Sequence, residues 1–95
     1  MYNYTGCIVR ATAGREKGSV FCVVGMREGM LLLADGKRRR LARPKRKKLG
    51  HVCCLTDQQN QFDHPMVEKL RQGLTVSNRE VRQLLGAFQA QSRRV

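Results

Sequence analysis

GCIVRATAGREKGSVFCVV, residues 6–24, is the stretch whose reading decides the fold. Residues 6–11, GCIVRA, read as a strand that begins after a glycine. Residues 19–25, SVFCVVG, are β-branched and aromatic and read as a second strand. Between them AGREKG, residues 13–18, carries a glycine at each end of a charged triplet, which suits a tight loop. The chain therefore opens as strand, loop, strand.

The same pattern continues downstream. REG at 27–29 is a turn, and MLLLAD at 30–35 is a third strand, apolar enough to be buried on both faces. Asp35-Gly36 is the strongest short-range hairpin signal in the chain, because this pair suits the positive φ angles of a type I′ turn. It predicts that KRRRLAR, residues 37–43, returns as a fourth strand beside the third. Pro44 donates no hydrogen bond, so that strand is expected to end or bulge there, or to run along a sheet edge. KRKKLGHVCCL, residues 45–55, then leads into a fifth strand around His51 to Leu55. Five short strands with closely spaced turns predict a small β-barrel over residues 1–55.

Beyond it the pattern changes. TDQQNQFD, residues 56–63, is polar and aperiodic and reads as a linker. Pro65 suits the first position of a helix capped by Asp63 or His64, with Met66, Val67 and Leu70 on one face and Gly73 as its stop. Ser77 and Glu80 form a capping box for a second helix, with Val76 and Val81 at the hydrophobic-staple positions. Val81, Leu84, Leu85 and Phe88 make one apolar face of that helix. Gly86 stands inside it at a cost of about 1 kcal/mol against alanine. Residues 56–95 are thus expected to be a linker and a two-helix extension that packs on the barrel. The expected fold class is mainly β with C-terminal helices.

Charge says more about partners than about fold. The 95 residues carry a net charge of +12, and 41% are apolar, enough for a small core. Lys37, Arg38, Arg39, Arg40, Arg43, Lys45, Arg46, Lys47 and Lys48 hold nine positive charges within twelve residues. Nucleic acid leads the partner classes, ahead of an anionic membrane surface and acidic proteins. In a strand, Lys37 and Arg39 would point opposite to Arg38 and Arg40, and a central strand would trap one set in the core. The basic segment is therefore expected as an edge strand or as a projecting arm, with both rows of charge exposed. Arginine dominates its first half and suits bidentate phosphate contacts.

No charged leader followed by an apolar run opens the sequence, and no apolar run approaches the roughly 18 residues that span a bilayer. A cytoplasmic location with four reduced cysteines is the expectation. Zinc fits poorly: Cys53 and Cys54 are adjacent, and Cys7 and Cys22 have no partner at knuckle spacing. His51 beside Cys53 or Cys54 is a weak thiol–imidazole pair, with no nucleotide fingerprint or paired acids to accompany it. Neither an enzyme, a cofactor nor a small-molecule substrate is expected.

Residues 6–24, with their Gly-x-x-Lys-Gly loop, resemble the KOW motif of ribosomal proteins and transcription-elongation factors. ADGKRRRLARPKRKKLGHV, residues 34–52, is similar to one branch of that family. That branch is the small bacterial KOW-domain RNA-binding proteins, related to large-subunit ribosomal proteins of archaea and eukaryotes. One departure is Arg38, where the family pattern places an apolar residue at the start of the fourth strand. The resemblance implies an SH3-like barrel and RNA binding, most often to ribosomal RNA or the large ribosomal subunit; the free protein is expected to be monomeric. Arg15, Lys17 and Gly18 of the loop and the nine cations of residues 37–48 are the implied contacts. Arg79, Arg82 and Arg93 share a stripe with Gly86 on the second helix, either as a further RNA contact or as a solvated face. Two alternatives stand beside this reading: a protein-interaction module that docks through the apolar face of the second helix, and a nonspecific nucleic-acid binder.

Overall fold

The computed structural model describes residues 2–57 and 59–92. Its strands are β1 (Ile8–Ala11), β2 (Val20–Arg27), β3 (Met30–Ala34), β4 (Lys45–Lys47) and β5 (Val52–Cys54), followed by helices α1 (Pro65–Arg71) and α2 (Asn78–Ser92). They form a five-stranded sheet in the order β4-β3-β2-β1-β5, in which every pair is antiparallel. The expected mainly-β class is present as this sheet with two helices. The expected closure is not: β4 and β5 are edges, and no strand pair joins them among the described residues.

Alternation along the strands sorts side chains to two faces. Ile8, Cys22 and Ala34 lie on one face and pack with Met66, Val67 and Leu70 of α1 and Val81, Leu84 and Leu85 of α2. Val9, Ala11, Phe21, Val23, Leu31 and Leu33 lie on the other and form a second core with Cys7. Among the described residues no helix residue joins this second core, which is built from the sheet and the segments beside it. The sheet is thus buried on both sides at its centre, as the continuous apolar run of β3 requires. Burial pushes the Cys22 thiol up to about 12 and that of Cys7 up to about 11. Both remain neutral thiols that fill the core. Cys53 and Cys54, by contrast, are exposed on β5, so thiols as core filler describe only half of the set.

The hairpin expected at Asp35-Gly36 is made elsewhere. Glu28 and Gly29 both have positive φ, 52° and 78°, and connect the paired residues Arg27 and Met30. That is the two-residue connection whose twist matches paired strands. At Asp35-Gly36 only the glycine has a positive φ. The Asp35 carboxylate accepts instead from the backbone N–H groups of Lys37 and Arg39, at 2.8 and 2.9 Å. The N–H groups of Asp35 and Gly36 both donate to the Arg39 carbonyl. These bonds close a compact loop over residues 35–39, so residues 37–43 are not a strand. Pairing with β3 begins only after Pro44, at Lys45.

The helices are set by local signals. His64 Nδ1 accepts from the Met66 N–H at 3.2 Å, with Pro65 as the first helical residue. The helix ends with Gly73 N–H on the Leu70 carbonyl and Leu74 N–H on the Lys69 carbonyl, the paired bonds of a Schellman stop. Ser77 Oγ accepts from the Glu80 N–H, and Glu80 Oε1 accepts from the Ser77 N–H, each at 3.1 Å. The segment between sheet and helices is not a plain linker: Phe62 packs edge-on against Phe88 with ring centres 5.4 Å apart. Both rings border the helix-side core. No helix among the described residues is long and apolar enough to cross a membrane.

Candidate nucleic-acid interface

The basic segment is a folded loop held from two sides. On one side lies the β1–β2 loop. Its Glu16 carboxylate accepts from Arg39, at 2.7 Å from Nε and also from the second guanidinium nitrogen. Lys47 donates from Nζ to the Ala13 carbonyl at 2.6 Å. On the other side lies the start of α2. Asn78 Oδ1 accepts from the Leu41 N–H at 2.8 Å, and Arg82 donates to the Gly36 carbonyl at 2.7 Å. Gly36 allows this approach: a Cβ there would overlap the Asn78 carbonyl and lie 2.9 Å from Arg82 Cγ.

This clamp divides the expected contact residues. Lys37, Arg38, Arg40, Arg43, Arg46 and Lys48 are exposed. Among the described residues none of them is in an ion pair, the two pairs present being Arg39–Glu16 and Lys69–Glu80. Lys45 is half-buried. Arg39 is engaged by Glu16, and Lys47 is only 8% exposed. Lys47 is therefore corrected from a surface contact to a tie between β4 and the β1–β2 loop. The cause is alternation: Arg46 faces solvent, so Lys47 faces inward, and its ammonium needs the Ala13 carbonyl to be tolerated there. Arg15, Lys17 and Gly18 are exposed at the tip of the β1–β2 loop. Arg79 and Arg82 are exposed on α2, and Arg93 lies outside the described residues.

Three concavities carry these cations. A cleft of about 350 Å³ brings together Gly18, Lys37, Arg82 and Gly86, which come from the β1–β2 loop, the basic loop and α2. Asp35 also borders it. A second hollow, of about 240 Å³, is lined by Lys45, Arg46, Lys48 and His51. A third, of about 220 Å³, lies between Arg38, Arg40 and Arg43. The sequence anticipated the glycine-flanked loop, the basic run and the α2 stripe separately. It did not show that Arg82, rather than merely sharing a stripe, reaches across to hold Gly36. The S-x-x-E box and Gly36 fixed the two ends of that contact, but no local pattern signals a link between positions so far apart.

Of the apolar face of α2, Val81, Leu84 and Leu85 are 0, 0 and 7% exposed and packed against the sheet, and Phe88 is half-buried at the border of the same core. No group of three metal-ligating side chains converges among the described residues. No protein-family model matches the chain, and no curated protein is found similar to it.

Proposed function

We propose that the chain is an RNA-binding module of the KOW class, its five-stranded sheet corresponding to an SH3-like barrel, and that it associates with ribosomal RNA on the large subunit. One observation carries the reading: the densest run of positive charge is a fixed loop and the short edge strand after it, which together present six exposed cations that have no acidic partner among the described residues. Ordering like charges against one another is unfavourable without a polyanion to receive them. The strand order, the short β4 edge and the second core inside the sheet are compatible with the KOW reading. The departure at Arg38 also finds a place in it. Arg38 sits in the loop before the fourth strand and needs no apolar side chain there. Few aromatic side chains are available for base stacking, so phosphate contacts dominate and base readout is limited.

Sucrose-gradient sedimentation of lysate tests the ribosomal part of this reading. The expected result is that the protein travels with large-subunit particles at low salt and leaves them at high salt. A protein that stays at the top of the gradient under both conditions contradicts ribosome association.

A further inference from the structure

The cleft between the β1–β2 loop, the basic loop and α2 is not lined as a simple phosphate trap. Lys37 and Arg82 supply cations, but Asp35 supplies a carboxylate and Leu85 an apolar wall. A carboxylate repels phosphate and accepts hydrogen bonds only; one Asp35 oxygen caps the loop, and a ligand that also carries a donor would suit the other. We propose that this cleft takes one unstacked ribonucleotide of the bound RNA, with its phosphate on Lys37 and Arg82 and its 2′-hydroxyl donating to Asp35. The inference rests on the RNA-binding reading above and adds to it a subsite that tells RNA from DNA.

Geometry supports each role. The volume of about 350 Å³ falls in the small-ligand range of roughly 300–1,000 Å³. Arg82 uses its bond to the Gly36 carbonyl at 2.7 Å as an anchor, which leaves other guanidinium N–H groups for a ligand. Both backbone bonds to Asp35 end on Oδ1, which leaves Oδ2 as an acceptor. The 2′-hydroxyl is the donor that DNA lacks. Gly86 forms part of the helical wall, and a Cβ there would meet nothing within 4 Å. Glycine weakens a helix interior, and its use here keeps the cleft open.

The test compares dissociation constants of the full chain for an unpaired RNA oligonucleotide and the DNA of the same sequence, at one fixed low salt concentration. Wild type and Gly86→Leu are measured, with thermal melting to check folding. Leucine at this position has open space and is the better helix former, so the variant is expected to fold. The expected result is RNA bound roughly tenfold more tightly than DNA, with Gly86→Leu weakening RNA more than DNA so that the preference is lost. Equal binding of RNA and DNA by wild type overturns the cleft proposal while leaving the basic surface intact. So does a preference for RNA that survives in Gly86→Leu. Failure to bind either nucleic acid overturns the RNA-binding reading itself, and the cleft with it.

Discussion

A side chain at Gly36 has no space: its Cβ would overlap the Asn78 carbonyl, and its φ of 79° is one that only glycine adopts without strain. Gly36→Ala is therefore expected to lower stability by about 2–4 kcal/mol, read from thermal or denaturant melting. It should also weaken RNA binding although no charge is changed, because the basic loop loses its seat on α2. A variant as stable as wild type would show that the close approach does not matter. Single residues also mark where the sequence misleads. Asp35-Gly36 was legible as a turn, but an aspartate that caps its own loop competes with the hairpin use of the same dipeptide. Lys47 is similar. A one-residue difference of strand register decides whether a lysine faces solvent or the interior, and no local pattern in KRKK fixes that register.

At the scale of elements, the helices were the most legible part because their signals are local. The Ser77–Glu80 box and the apolar face of α2 need nothing beyond neighbouring residues. Glu80 also joins the helices, accepting from Lys69 of α1 at 2.8 Å. The Lys69 bond, with help from Ser77, holds the Glu80 carboxyl below the usual carboxylate range. A carboxylate with a lowered folded-state pKa contributes stability above its unfolded value, near about 4.3, and loses it as pH falls through the folded value. Wild type is therefore expected to be more stable than Glu80→Gln near neutral pH, and the gap should close on acidification below about pH 4. A gap that stays constant in melting curves across this range would contradict the link. The fourth strand and Phe62 were less legible for the opposite reason. Where β4 starts depends on the distant loop and helix that hold residues 35–43, and one aromatic in a polar run gives no periodicity to read.

The whole molecule is a small two-sided sheet with helices on one face and a cationic rim. Its net charge of +12 is set against two ion pairs among the described residues, so most of that charge is directed outward. The loops that carry it are tied to one another by Arg39–Glu16 and Lys47–Ala13 and to α2 by Arg82–Gly36, so the cations present a fixed pattern. A single half-exposed pair such as Arg39–Glu16, still reached by solvent, contributes little stability, roughly 0–1 kcal/mol. Its effect here is to set the spacing of its neighbours. Phosphate contacts made this way release counterions, and their number is read from salt dependence. The most direct measurement is the affinity of the full chain for a structured RNA as salt is raised from about 50 to 200 mM. If the six exposed cations of residues 37–48 each neutralise a phosphate, log affinity should fall against log salt with a slope of about −5. A slope shallower than about −1 would contradict the claim that this folded basic surface is built to hold a polyanion.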